Sequence, residues 1–297
     1  MNEVLVPAAG EPAPLTRELR TALMHRAARL LRTASRVREG QDSEAVHDLR
    51  VAVRRLEAAL FVWQRLLAAK PLRRTLRTLR TLRRKAGATR EAELHALLIR
   101  AHLEPAPPEI RAELERVVHM LEVRRERDAA KLRVRVAPWR TERFSRRLRR
   151  ALRPLSSPLA PSHDPQRDAL IRVEQQRRKA LAALLEAHPG ASDTALHDAR
   201  LWVKRWRYAE EALITNAGGE MLGDEMLREF QKVLGEIQDR ATLRDRALAL
   251  AAEQARRGHE STATALQWLI TRLEAERLDA VARFRSRPLP IERGSPA

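Results

Sequence analysis

Leucine and alanine recur at three- and four-residue intervals along nearly the whole chain, with arginine, lysine and glutamate between them. That spacing is the signature of amphipathic helices, whose apolar positions line up on one face of a 3.6-residue period. No segment alternates Val, Ile and aromatic residues as a half-buried strand would, so the pattern predicts an all-α fold. Breakers separate the helices. The first is expected over about 14–38, closed by Gly40, and the second from Asp42 or Ser43 to about Ala69. A third opens at Pro71 and runs to about His102, where "EPAPP" (Glu104 to Pro108) breaks the chain. A long helix follows, interrupted at Pro138 and continuing through "RFSRRLRRAL". The proline-rich stretch "PLSSPLAPSHDP", Pro154 to Pro165, reads as a linker. Helices then resume over about 166–188, 193–215, 224–257 and 262–286, with breaks at "HPGASD" and "NAGGEMLGDE".

The pattern repeats. "VHDLRVAVRR" (Val46 to Arg55) and "LHDARLWVKR" (Leu196 to Arg205) lie 150 residues apart and share His, Asp, Arg, Val and a final Arg in register. Gly40 and Gly190 each precede the cassette His by seven residues, and glycine is favoured just past a helix end. Asp42-Ser43 and Ser192-Asp193 follow, both suited to cap the next helix. A stop, a cap and a cassette thus recur together. The economical reading is two copies of a four-helix unit, residues 14–153 and 166–287, joined by the 154–165 linker. Short tails flank them, 1–13 (expected to be partly disordered) and 288–297.

On a helical wheel with His47 at zero, Arg50 and Arg54 fall at about 300° and 340°, whereas Leu49, Val53, Leu56, Leu60 and Trp63 cluster at about 160–240°. The His and two arginines form a stripe opposite the core face, with Arg55 to one side. In the second copy His197, Arg200 and Lys204 share a stripe, extended by Arg207 and Tyr208, while Ala199, Val203, Trp206 and Leu213 face the other way. Such a stripe supplies many N–H donors, and arginine forks match phosphate oxygens two at a time. One basic stripe is ordinarily a solvated face. Two with the same spacing, a His followed at +3 and +7 by cations, ask for more.

A second pair of features runs parallel. Arg80 and Arg84 precede Gly87 by seven and three residues, as Arg228 and Lys232 precede Gly235. An acid, Glu91 or Asp239, follows each glycine by four. A glycine inside a helix costs about 1 kcal/mol relative to alanine. Close helix packing is the expected compensation, with each acid expected to orient a cassette arginine. Arg29 and Lys179 are also basic at the same offset.

Composition narrows the partner. Among 297 residues, 58 are Lys or Arg and 39 Asp or Glu, a net charge of +19. This points to nucleic acid, inorganic polyphosphate or an anionic membrane. Aromatic residues make up only 3%, which weakens the nucleic-acid reading, because single-strand binders stack bases on aromatic side chains. There is no cysteine, so thiol catalysis and Cys-based zinc sites are excluded. No apolar run approaches the roughly 18 residues of a membrane span, and "MNEVLVPAAGEPAP" lacks the features of a signal peptide; a cytoplasmic location is expected. A His-dependent phosphatase or phosphotransferase would want carboxylates holding a metal, and the stripes offer no acidic cluster. No catalytic residue, metal or cofactor is therefore expected.

"HDLRVAVRRL" resembles the signature of the CHAD domains, the conserved-histidine α-helical domains, and "LGEIQD" (Leu234 to Asp239) is similar to the family's second motif. The resemblance covers roughly 14–287. The first copy departs from it at Ala86-Gly87 and Glu91, where Leu-Gly and Asp are commoner, and the second carries Trp202 and Trp206 beside the core. The resemblance implies two four-helix bundles related by pseudo-twofold symmetry around a basic central channel. It further implies non-catalytic binding of inorganic polyphosphate and association with polyphosphate granules. His47, Arg50, Arg54, Arg55, His197, Arg200, Lys204 and Arg205 would then line or flank that channel. Backbone binding to nucleic acid, or a His-dependent phosphatase or phosphotransferase, is the alternative.

Overall fold

The structure, a computed structural model, describes residues 14–40, 44–156, 164–188, 192–214 and 224–289. These residues form nine α-helices and two short 3-10 turns, with no strand. The helices are α1 (Pro14–Glu39), α2 (Ala45–Val62), α3 (Ala69–Arg100), α4 (Pro108–Arg135), α5 (Pro138–Ala151), α6 (Pro165–Ala187), α7 (Asp193–Ile214), α8 (Asp224–Arg256) and α9 (Glu260–Arg285). The fold is all-α, as the periodicity requires. Both tails, up to Ala13 and from Pro290, the Asp42-Ser43 cap, most of the linker, Gly190 and the 215–223 break lie outside the described residues.

Local chemistry sets the helix ends. Gly40 takes φ +71°, and its amide donates to the Arg36 carbonyl at 3.0 Å, which closes α1 in a left-handed turn that a side chain would resist. The Ser192 hydroxyl accepts from the Ala195 amide at 3.2 Å and caps α7. Asp164 caps α6, accepting from the amides of Gln166 and Arg167 at 3.0 Å each, with Pro165 at the first helical position, where its missing N–H has no cost. After "EPAPP", Arg111 folds back and donates to the carbonyls of Leu103 and Glu104 at 2.9 and 3.0 Å, satisfying the turn between α3 and α4. One boundary differs from the sequence reading. α2 stops at Val62, a 3-10 turn covers Gln64–Leu66, and α3 starts at Ala69. Pro71 therefore sits inside the first turn of α3, where a proline is tolerated because those amides have no intrahelical acceptor.

The chain divides into two compact units. The first comprises Met1–Gly87, Ala130–Gln176 and Tyr208–Leu222; the second comprises Ala88–Ala129, Arg177–Arg207 and Gly223–Ala297. Neither coincides with a sequence half, because α3, α4, α6 and α7 each contribute to both. α3 has 32 residues and measures about 48 Å, longer than one core can cover. The first unit has one continuous core, with Leu19, Leu23, Leu49, Val53, Leu56, Leu60, Leu79, Phe144, Leu148 and the small residues Ala209 and Ala212 of α7. The second has two. One gathers Ala199, Val203, Trp206, Phe230 and Phe284; the other gathers Ile99, Leu114, Leu243, Leu266 and Leu269. The long helices α8 and α9 supply both.

Ion pairs lock the second unit. Arg244 donates to Glu274 at 2.7 Å and to Asp193 at 2.9 Å. Arg277 donates to the same two acids, at 2.6 and 2.8 Å. The first turn of α7 is thereby pinned to α8 and α9, and Asp193 also sits favourably at a helix N-terminus. In the first unit, the C-terminal carbonyls of α7 find donors: Trp63 Nε1 reaches Ala212 O at 3.4 Å and Arg26 reaches Glu211 O at 3.2 Å. These are groups that a helix end leaves without partners of its own.

Gly40→Ala should destabilise the first unit by about 1–2 kcal/mol, the cost of a Cβ in the left-handed region, measured by chemical denaturation. A second prediction concerns acid. Hydrogen bonds from Arg277 and Arg244 hold the Glu274 carboxyl down to about 2. A depressed carboxylate contributes stability above its ordinary pKa and loses it as pH falls through the folded value. Stability should therefore drop between about pH 4.5 and pH 2, and Glu274→Gln should flatten that part of the profile.

Candidate functional site

On α2 the wheel is realised. Leu49, Val53, Leu56 and Leu60 have no exposed surface and Trp63 only 2%, while His47 is exposed and Arg50 and Arg54 are partly so. The stripe meets α3. Arg50 Nη1 donates to the carbonyl oxygen of Gly87 at 3.3 Å. Glu57, one turn beyond Arg54, pairs with Arg83 at 3.2 Å. Burial raises the Glu57 carboxyl, and Arg83, Arg80 and Arg54 pull it back down. The Glu57 carboxylate therefore sits among Arg54, Arg80 and Arg83, and Arg80 and Arg84 are exposed. Asp48, the residue after the cassette His, pairs with Arg36 of α1 at 2.5 Å and ties the start of α2 to α1.

In the second unit the cassette lies on α7 and faces α8. Ala199, Val203 and Trp206 are buried, at 4% exposure or less. The His197 Nδ1–H donates to Gln238 Oε1 at 2.6 Å. Arg200 Nη2 lies 3.8 Å from Asp239 Oδ1. Arg207 donates to Gln231 at 2.8 Å. Lys204 stands on the same stripe, partly exposed, and Arg228 and Lys232 are exposed on α8.

The structure sets the remaining candidates apart from these stripes. Arg55 pairs with Glu211 at 2.8 Å. It lines, with Arg29, an open groove of about 950 Å³ between α1, α2 and the end of α7, where Glu18 and Glu211 offset the cations. Arg205 and Lys179 both lie against the Trp202 ring, at 4.3 and 5.0 Å from its centre, as cation–π contacts. The final arginine of each cassette is thus held on the flank, one by a carboxylate and one by an indole. Glu91 belongs to the second unit, one helical turn before the buried His95, whose pKa burial lowers and Glu91 raises.

The expected role of the two glycines is overturned. A Cβ at Gly87 would meet only Arg50 Nη1, at 3.9 Å, and one at Gly235 would meet nothing within 4 Å. Close helix packing is therefore not their reason. At Gly87 there is room for a Cβ beside the arginine that reaches its carbonyl; at Gly235 the backbone of α8 faces open space one turn before Asp239. Sequence reasoning does not anticipate the contacts made by Gln238, Gln231, Asp48 and Trp202. For Gln238 a signal exists, since it precedes Asp239 within "LGEIQD", and both residues of that motif contact the cassette. Among the described residues no group of three or more His, Asp or Glu could hold a metal ion, and no helix is long and apolar enough to cross a membrane.

This chain belongs to the CHAD domain family, whose sequence profile matches residues 21–248. Two solved structures share the fold. One is PptA from Streptomyces chartreusis, 23% identical, with a TM-score of 0.67 over 92% of this chain and 98% of that one. The other is the CHAD domain from the plant Ricinus communis, 21% identical, with a TM-score of 0.67 over 98% of both chains. No curated protein sequence matches.

Gly87→Ala and Gly235→Ala should each leave the fold intact and raise stability by up to about 1 kcal/mol, the helix-propensity gain. Thermal melting of the two variants checks this; a loss of stability would restore the close-packing explanation.

Proposed function

We propose that the protein binds inorganic polyphosphate without catalysis, through the basic stripes of α2 and α7, and associates with polyphosphate granules in the cytoplasm. One observation carries this reading. The same constellation, a His with cations at +3 and +7, is built in each unit, and in each a neighbouring helix anchors its first arginine, Arg50 on Gly87 and Arg200 beside Asp239. Anchored guanidiniums lose little freedom when an anion arrives, and each then offers parallel donors to phosphate oxygens. Polyphosphate repeats a charge at every phosphorus along a flexible chain and has no base to stack. That suits stripes rich in arginine and poor in aromatic rings, and it is the ligand that the family resemblance implies. Chemistry on the phosphates would need a positioned metal or a general base, and the neighbours of these stripes are amides, a carbonyl and carboxylates already facing arginines.

Binding should weaken steeply with salt. The log–log slope should be about −0.7 per phosphate neutralised, hence about −3 if Arg50, Arg54, Arg200 and Lys204 each engage one. Arg54→Ala and Lys204→Ala should each cost about 1.5–3 kcal/mol of binding, the worth of a charge-assisted hydrogen bond, with unchanged helicity by circular dichroism. Competition against single-stranded DNA at matched salt provides the contrast: equal affinity for DNA, or a slope near zero, overturns the reading.

A further inference from the structure

The first unit holds a second cluster of cations that the cassettes do not include. An open groove of about 620 Å³ between α1, α3, the end of α4 and α5 is rimmed by Arg74, Arg77, Arg135, Arg140, Arg143 and Arg147. None of the described residues lining it is acidic. This sets it apart from the groove beside α2, where Glu18 and Glu211 share the space with the arginines. On α5 the cations stand at positions 140, 143 and 147, the same +3 and +7 spacing as His47, Arg50 and Arg54. The adjoining face of α5 is fixed in the core by Phe144, Leu148 and Ala151, at 4% exposure or less, and Phe144 also lines the groove. The arginine stripe therefore projects from a rigid support.

We propose that this groove is a second anion site, which takes a compact oligophosphate, a short linear phosphate anion with several charges in a small volume. Six guanidiniums around one space need several negative charges to balance them, and a single carboxylate or chloride supplies one. Phosphate oxygens fit the planar fork of arginine, and an oligophosphate places about one charge on each phosphorus. Arg147 shows how closely the cations crowd. Its side chain is held by a hydrogen bond to the Thr78 hydroxyl at 3.3 Å. Its pKa is lowered, first by burial and then by Arg143, Arg74 and Arg77. Arginine does not give up its proton at ordinary pH, so the repulsion is retained in the folded state until an anion relieves it. The supporting helices are already packed, so binding requires little reordering. No cassette residue lines this groove, so the inference does not depend on where long-chain polyphosphate binds.

The test is calorimetric titration of the full-length chain with tripolyphosphate at physiological ionic strength. Three variants accompany wild type: Arg77→Gln/Arg143→Gln/Arg147→Gln in the groove, Arg54→Gln/Lys204→Gln in the cassettes, and Arg127→Gln/Arg256→Gln/Arg285→Gln as a control that removes the same charge from exposed positions of the second unit. The groove variant should lose tripolyphosphate affinity by at least about tenfold, the least that one charge-assisted hydrogen bond would cost. The cassette variant and the control should retain that affinity. Tripolyphosphate binding unchanged in the groove variant, or lost equally in the control, overturns the proposal. Loss of long-chain polyphosphate binding in the cassette variant alone supports the cassette reading; its retention there counts against that reading and leaves the groove result to stand by itself. Circular dichroism of all three confirms folding. If the groove triple unfolds, Arg143→Gln alone, at an exposed position, supplies the same comparison.

Discussion

Carboxylates are the scarce resource of this protein. Basic side chains outnumber acidic ones, 58 to 39, and the placement of the acids decides which cations serve the fold. Where two acids converge on two arginines, as Asp193 and Glu274 do on Arg244 and Arg277, helices are fastened together. Where one acid faces several arginines, as Glu57 does, positive charge is tempered but left in excess. Where no described lining residue is acidic, as in the α5 groove, like charges crowd. Exposed pairs add little to stability individually, so the value of the arrangement lies in geometry. It leaves Arg50 facing a backbone carbonyl and Arg200 facing a carboxylate at 3.8 Å.

Most of the architecture is legible in the sequence because helix periodicity is a direct image of burial. The residues assigned to the core face of α2 are those with the least exposed surface, and the helix boundaries differ by only a few residues except at Val62. There a 3-10 turn replaces the last turns, a local decision that Pro71 permits in either form. The compact units are not legible. Which end of a 32-residue helix packs with which partner depends on tertiary contacts, and those leave no periodic trace. Gly40 can be understood from its position alone, whereas Gly87 and Gly235 cannot. A glycine that makes room for packing and one that leaves backbone open look the same in a sequence.

The site is legible in its cations and not in its supports. His47, Arg50, His197 and Arg200 announce themselves by repetition. Gln238 and Gln231 do not, because an amide on a polar helix face resembles any solvating residue until its neighbour is known. In the sequence Trp202 is an oddity of the second cassette. In the structure it receives Lys179 and Arg205 on its ring, as Glu211 receives Arg55 in the first unit. The flanking arginine is secured in both units by unlike chemistry, which explains why the final position of the cassette is basic in both copies while its surroundings differ. The α5 stripe is hidden for the opposite reason: in a chain with so many arginines, three more at helical spacing carry no contrast until the lack of acids lining their groove is visible.

The first unit closes on residues that are late in the chain. Its core includes Ala169, Ala209 and Ala212, Arg65 reaches Asp168 at 3.0 Å, and Trp63 donates to the carbonyl of Ala212, 149 residues further on. A ribosome therefore delivers α1 to α5 well before the elements that cover them. During that interval the apolar faces of α1 and α2 lack the cover that α6 and α7 later supply, and Arg26 and Arg55 lack Glu211. Contacts of such sequence separation slow folding, because a long loop must close before it is rewarded, and they leave a nascent chain open to association with whatever is near. For a chain this basic, the nearest polyanion during synthesis is the ribosomal RNA itself. The interleaved topology thus postpones the burial of Arg26 and the pairing of Arg55 with Glu211 until α7 has emerged from the exit tunnel.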